Sequence, residues 1–269
     1  RELEQIKVST ITRKDIESSI DNHPPTAFNG YLRVVRAVLN FAVNREWAKE
    51  NPSNKINFRL LPKKEVEILS NHQVARLLVA CKKHYPEDMP YLSIGLFAGV
   101  RPEELLRLDW SMIRLDESHI LMPAAITKTA RKRVVKIEPA LGAWLKWHIQ
   151  GGGNAIGTIV ENSNLRNRLR QIRQLAGISE WPQDGMRHTY ASNHLAFHES
   201  LDSLLLNMGH TDPQMLWKHY HKAVLKKDAE KFWNLYPKPR PRPRLKPVPT
   251  ATRSCKKPIP PPPAKKKRG

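Results

Sequence analysis

The 269-residue chain has only two cysteines, Cys81 and Cys255, too few for a thiolate zinc site, and their contexts do not suggest a disulfide. A reducing compartment follows. No apolar run approaches the ~20 residues that a membrane-spanning helix requires, and no Lys-rich apolar signal segment opens the chain, so no membrane partner is expected. There is no internal repeat. His194 and His198 stand four apart, the spacing of a zinc pair, but no third acidic or cysteine ligand lies at a clear distance, so neither a metal nor another cofactor is expected. The chain begins at Arg1 rather than a methionine and runs straight into Leu3, Ile6 and Val8, from which a preceding N-terminal segment is expected.

What the sequence has in excess is positive charge. Lys and Arg total 46 against 25 acids, a formal charge of +21. Such an imbalance points to a polyanionic partner, nucleic acid first. The apolar fraction of 40% suffices for one large domain or two modest ones. Residues 237–269 differ in kind, with 12 Lys or Arg, no acid and 11 of the chain's 22 prolines. Proline removes backbone donors and like charges repel, so this stretch is expected as a solvated, disordered tail. Its 12 basic residues leave +9 of the +21 on residues 1–236, so the remainder is basic in its own right. The tail either adds non-specific DNA attraction through counterion release or is a dispensable extension.

The periodicity predicts helices over Arg13 to Ile20, after Thr12 as N-cap, and over Tyr31 to Trp47. In the second, Leu32, Val35, Leu39, Ala42 and Val43 form an apolar stripe opposite Arg33, Arg36 and Arg45. Asn51-Pro52 is expected to stop it. Residues 1–58 then form a small helical unit, and 59–69 a linker. A second unit, 70–236, opens with Ser70 capping a helix over Val74, Leu77, Leu78 and Cys81. A further apolar helix spans Tyr91 to Ala98, and a short one carries Leu105, Leu106 and Leu108. Between Ile113 and Ile137, short β-branched runs separated by basic turns predict about three antiparallel strands. From Pro139 to Tyr236 the pattern is helical again, broken at Gly151-Gly152-Gly153, Trp181-Pro182 and Gly209. The fold class is thus mainly α with a small antiparallel β-sheet. Trp144, Trp147 and Trp217 fit a core better than a base-stacking surface. The arginines at 166, 168, 170 and 173 suit either a DNA backbone or a solvated face.

Four segments of the second unit carry chemistry. Gly99-Val100-Arg101-Pro102-Glu103-Glu104-Leu105-Leu106-Arg107-Leu108 resembles the first arginine box of the tyrosine recombinase, or phage integrase, family. Thr127-Lys128-Thr129, with the basic stretch to Arg133, resembles its hairpin lysine. Arg187-His188-Thr189-Tyr190-Ala191 resembles the second arginine box. Met208-Gly209-His210-Thr211-Asp212, followed by Tyr220, resembles the closing histidine and nucleophile. The order and texture agree from about residue 66 to 236, and the preceding helical unit resembles the family's core-binding domain. The resemblance implies a site-specific DNA recombinase that cuts and rejoins duplex DNA through a 3′-phosphotyrosyl bond.

The chemistry suits these residue types. Attack on a phosphodiester builds negative charge, which the planar, permanently charged forks of Arg101 and Arg187 can hold bidentately. His210 would add a donor. Tyr220 would attack, made easier to ionise by a positive site. Lys128 would protonate the leaving 5′-oxygen. Glu104 resembles the family's supporting acid. The family usually has histidine three residues before the second arginine, and here Asp184 stands there, able to accept a hydrogen bond from the tyrosine or an arginine but adding negative charge beside the phosphate. The scheme needs no metal and no ATP.

The implied partners are double-stranded DNA, further protomers in a tetramer, and an accessory DNA-bending or directionality factor. The last helix, Asp228 to Tyr236, would pack on a neighbouring protomer through Phe232, Trp233 and Tyr236. A cytoplasmic, nucleoid-associated location follows. Type IB topoisomerases share this chemistry, but the Gly-His-Thr-Asp-Pro box favours recombinases. Two non-enzymatic alternatives are a catalytically impaired relative that only binds DNA, prompted by Asp184, and a basic chromatin-like protein held by its tail.

Overall fold

A computed structural model describes residues 6–61, 66–160, 164–209, 213–214, 220 and 224–238. The expectations placed on Leu3, His210, Trp217 and residues 239–269 lie outside these described residues. The chain divides into two compact units, Arg1–Val66 and Glu67–Gly269.

In the first unit, α1 (Arg13–Ile20) starts from a reciprocal cap: the Thr12 hydroxyl accepts the Asp15 N–H, and the Asp15 carboxylate accepts the Thr12 N–H. Helix α2 spans Pro25–Asn44. It begins at Pro25 rather than at Tyr31, because Pro25 at the first helical position has its φ pre-set and gives up an N–H that would have no intrahelical acceptor. It also ends earlier than Asn51-Pro52 suggests. The chain turns off where Glu46 adopts a φ of 62°, and Asn51 instead caps a short 3₁₀ turn, Pro52–Lys55.

Ile16, Ile20, Phe28, Leu32, Leu39 and Ile56 make the core of this unit. The opposite face of α2 is not simply basic: Tyr31, Val34, Val38 and Phe41 are exposed there. Arg36 turns away to donate to the Ser53 and Ile56 carbonyls at the end of the 3₁₀ turn. Arg59 is tied to the same unit, its amide donating to Asn29 and its guanidinium lying 3.9 Å from the Phe28 ring centroid.

The second unit is built from α3 (Asn71–His84), α4 (Met89–Phe97), α5 (Pro102–Leu105), strands β1 (Ile113–Arg114), β2 (His119–Met122) and β3 (Arg133–Lys136), then α6 (Pro139–Gln150), α7 (Leu165–Leu175), α8 (Gly185–His198), α9 (Leu201–Met208) and α10 (Lys226–Trp233). The expected fold class is observed: mostly helical, with a three-stranded antiparallel sheet of order β1-β2-β3 whose strand β3 packs against α9. Helix α4 is buried along its whole length. A helix apolar on all sides needs neighbours on all sides, and α4 packs against α3, α5, α6 and α8. Ser70 caps α3 reciprocally with Gln73, and the Leu69 N–H donates to the Thr189 hydroxyl in α8 at 2.8 Å.

Among the described residues, no helix is long and apolar enough to cross a membrane. Trp144 and Trp147 are buried, in keeping with a core role. Helix α10 corrects an expectation. Its Phe232 and Trp233 do not form a free face for a neighbouring protomer but are buried in their own chain, with the Phe97 ring centroid 5.0 Å from that of Phe232. The aromatic side of a short helix is satisfied most directly by the nearest apolar surface, here α4 and α8. Tyr236 alone of the three remains exposed.

Candidate active site

The site residues come from distant parts of the second unit, and one carboxylate gathers three of them, Arg101, Lys128 and Arg133. Glu104, in the first turn of α5, has only 1% of its side chain exposed. Arg133 of β3 donates to both of its oxygens, Nη1 at 3.2 Å and Nη2 at 2.5 Å. The Arg101 guanidinium reaches Oε1 at 3.2 Å, and the Arg101 N–H reaches Oε2 at 3.3 Å. The Lys128 backbone N–H, from the loop between β2 and β3, reaches Oε1 at 3.2 Å. Burial alone would raise the Glu104 pKa, but these donors, Arg133 foremost, hold it at about 2. Glu104 is therefore ionised and saturated with donors.

The sheet explains why Arg133 reaches it. Val135 points into the core, so Arg133, two residues earlier on the same strand face, points inward as well. Its Nε donates to the Asn207 carbonyl at 3.1 Å, tying β3 to the end of α9. Lys128 has an exposed side chain in a loop that Thr127 shapes, its hydroxyl donating to the Arg131 and Ala124 carbonyls.

Arg187, in the first turn of α8, is 5% exposed. Its guanidinium does not pair with Asp184 or Glu180; it donates to the Gly99 carbonyl and, at 2.8 Å, to that of Met208. Burial, and then the nearby Arg101 and Arg133 charges, lower its pKa to about 9. Gly99 makes this contact possible. Its φ is +62°, and a Cβ there would stand 2.3 Å from the Tyr190 ring. Two guanidinia thus pair with one carboxylate and a third, Arg187, lies within reach of their charges, a local excess of positive charge that an anion would relieve.

Tyr220 is the nucleophile candidate, and it is 5% exposed. Its hydroxyl lies 2.5 Å from Nδ1 of His188, with ring centroids 5.7 Å apart. The expectation that a positive site would ease its ionisation is not met. Burial raises its pKa to about 12, the Arg187 charge only partly opposes this, and Asp184 adds to it. Desolvation of a phenolate outweighs one neighbouring cation. Asp184 itself is exposed, holds a left-handed φ of 52° before α8, and makes no capping hydrogen bond.

Sequence reasoning had not singled out Arg133 or His188. The strand alternation around Val135 carried a signal for the first; for the second no signal exists until the position of Tyr220 is known. The rings of His194 and His198 lie 4.5 Å apart, tilted against each other, with His194 buried and His198 half-buried, and burial pulls the His194 pKa down to about 3. Among the described residues no group of three His, Cys, Asp or Glu could hold a metal ion.

Comparison with known proteins gives the family. The model of the phage integrase family matches residues 67–226. The chain belongs to the phage integrase family, that is, to the tyrosine recombinases. Among curated relatives, IntQ of Escherichia coli K12, whose name describes it as defective, is 24% identical over 237 residues, covering 72% of this chain and 59% of IntQ. The tyrosine recombinase XerC of Chlamydia muridarum is 23% identical, covering 84% of this chain and 78% of XerC. Among solved structures, a lambda integrase fragment, a dimer bound to a COC′ core site, aligns with a TM-score of 0.64 at 14% identity, over 81% of this chain and 82% of that one. The Tn1549 transposon integrase in complex with circular intermediate DNA gives 0.61 at 15% identity, over 86% and 88%. At these identities the structural likeness concerns the fold.

Proposed function

We propose that this integrase-family chain is a site-specific DNA recombinase that cuts and rejoins duplex DNA through a 3′-phosphotyrosyl intermediate. The observation that carries the proposal is a cluster of three neighbouring guanidinia with one carboxylate among them: Arg101 and Arg133 pair with Glu104, and Arg187 lies near enough to feel all three charges, in one unit with a tyrosine that feels the Arg187 charge. A scissile phosphate would supply the missing anion. Arg101 and Arg187 clamp its oxygens, with His210 as a further donor. Glu104 holds Arg101 and Arg133 in place. The Lys128 side chain protonates the leaving 5′-oxygen, and Tyr220 attacks phosphorus. The phosphotyrosyl bond conserves the energy of the broken ester, so the reverse attack by a 5′-hydroxyl reseals DNA without ATP.

Asp184 tunes the phenol electrostatically. Residues 1–58 act as the core-binding domain, 59–69 as the linker, 70–236 as the catalytic domain and 237–269 as a basic tail. The solved structures bound to DNA, one of them a dimer, support double-stranded DNA and further protomers as partners. A tetramer as the working assembly, an accessory bending or directionality factor and a location at the nucleoid belong to the same proposal.

The test is a covalent-trapping assay on nicked suicide substrates carrying candidate attachment sequences. The unsubstituted chain should form a denaturation-resistant protein–DNA adduct, and Tyr220→Phe should form none while still binding DNA. An adduct that persists in Tyr220→Phe overturns the assignment. A second reading, a relative that binds DNA without cutting it, draws on the burial of Tyr220 and its pKa of about 12. Salt-sensitive binding with no adduct from the unsubstituted chain on any substrate would favour it.

A further inference from the structure

We propose that His188 is the catalytic base for the attack step, taking the phenolic proton of Tyr220 on Nδ1 as the hydroxyl oxygen bonds to phosphorus. The inference rests on the recombinase reading and deepens it. Its first support is contact: Nδ1 lies 2.5 Å from the Tyr220 hydroxyl.

Its second support is the state of the other candidates. Guanidinium groups have no acceptor, so Arg101, Arg133 and Arg187 cannot take a proton. The Glu104 oxygens already accept from Arg133, Arg101 and the Lys128 amide; held at a pKa of about 2, this carboxylate is a poor base. Asp184 is exposed and acts on the phenol at a distance, opposing its ionisation. A neutral imidazole with its proton on Nε2 presents a lone pair on Nδ1, which is the tautomer this role requires.

The need for a base follows from burial. A phenol displaced to about 12 carries almost no phenolate near neutral pH, so proton transfer has to accompany attack rather than precede it. The step balances. The Tyr220 oxygen forms a bond to phosphorus and its proton passes to Nδ1, while the bond from phosphorus to the 5′-oxygen breaks and that oxygen is protonated from the Lys128 side. In religation the 5′-hydroxyl attacks and gives its proton back to the Lys128 amine, the phosphotyrosyl bond breaks, and imidazolium returns its proton to the departing Tyr220 oxygen. Helix α8 thus carries a phosphate donor, Arg187, and the acceptor of the nucleophile's proton on adjacent residues.

The experiment uses the full chain in the trapping assay with two variants and two substrates. His188→Asn leaves an amide near the Nδ1 position, preserving a hydrogen bond without basicity; His188→Ala opens a site that added imidazole can fill. Adduct formation by His188→Asn should fall by ~100-fold or more, in the range that one acid–base group supplies, with DNA binding unchanged. Imidazole should restore part of the activity of His188→Ala.

A substrate whose 5′-bridging oxygen is replaced by sulfur has a leaving group that needs no proton. It should rescue Lys128→Ala but not His188→Asn, which separates a role on the nucleophile from one on the leaving group. Activity of His188→Asn within about threefold of the unsubstituted chain, or its rescue by the sulfur substrate, overturns the proposal while leaving the recombinase reading intact. Absence of any adduct from the unsubstituted chain overturns both.

Discussion

The guanidinium side of the site and the nucleophile side are held in opposite ways. On the first, Glu104 binds Arg101, Arg133 and the Lys128 amide, Arg133 reaches on to Asn207, and Arg187 ties the end of α4 to the end of α9. Five separate elements are cross-braced there before any substrate arrives. On the second, the Tyr220 hydroxyl is held by His188, and the phenol is stored in its protonated, buried form. Electrostatic preorganisation thus sits on one side and a reactive group awaiting a phosphate on the other. Charge fixed in advance costs no reorganisation at the moment of reaction, whereas a nucleophile kept neutral and covered is protected from reacting without DNA.

Substitutions on the two sides should therefore fail differently. The largest effect on chemistry should come from Arg101→Ala, whose side chain is 16% exposed and so tolerates removal better than Arg187. Loss of one charge-stabilising donor costs on the order of 100- to 1,000-fold in rate. Single-turnover adduct formation should fall by that much while DNA affinity, spread over many basic residues, changes far less. Equal losses in binding and cleavage would make Arg101 a general DNA contact and remove the contrast.

The largest effect on stability should come from Glu104→Gln. Removing one member of a buried ionic cluster leaves the others uncompensated, at a cost of ~3–5 kcal/mol, read as a lower urea midpoint. His188→Asn, on the other side, should shift stability by less than about 1 kcal/mol.

Acid gives an independent measure of the same carboxylate. Its folded pKa of about 2 lies below the ordinary 4.5, so its stabilisation is fully present above 4.5 and is lost as pH falls toward 2. Over that window the native chain should lose stability on the order of 3 kcal/mol more than Glu104→Gln does. Parallel stability profiles for the two proteins would show that the cluster is not linked to folding in this way.

How much of this was readable beforehand follows the same line. Arg101, Glu104, Lys128, Arg187 and Tyr220 stand out because each lies in a segment whose residue types suit phosphate chemistry, and the three strands announce themselves by β-branched runs. Arg133 was hidden among Lys128, Arg131 and Lys132, and only strand alternation sorts it: Arg133 shares a face with buried Val135, while Lys136 points outward. The start of α2 at Pro25 rests on a local signal, proline at the first helical position, that an apolar-periodicity reading does not weigh.

The grip of Arg187 on the Gly99 and Met208 carbonyls was not readable at all, since it depends on where two other helices end. Nor was the burial of Phe232 and Trp233 in their own chain, because an apolar face in a sequence does not say which surface will cover it. The sign of the Tyr220 shift departs from the expectation for a related reason. Nearby cations can be counted in a sequence, but desolvation can be seen only in a fold.

Asp184 offers the finest test of the comparison, because it touches the nucleophile side through charge alone. It contributes to raising the Tyr220 pKa, behind burial and against Arg187, and it is exposed, so solvent screens most of its effect. Asp184→Asn removes a negative charge that disfavours phenolate. The Tyr220 pKa should therefore fall slightly from about 12, and the alkaline limb of the adduct-formation profile should move to lower pH. The gain at neutral pH should be small, roughly twofold, and should shrink as salt is added. The guanidinium side should not respond, so the urea midpoint and the acid profile governed by Glu104 should stay as they are. A loss of cleavage in Asp184→Asn would mean that this carboxylate, rather than the imidazole beside it, engages the reacting tyrosine once DNA is bound.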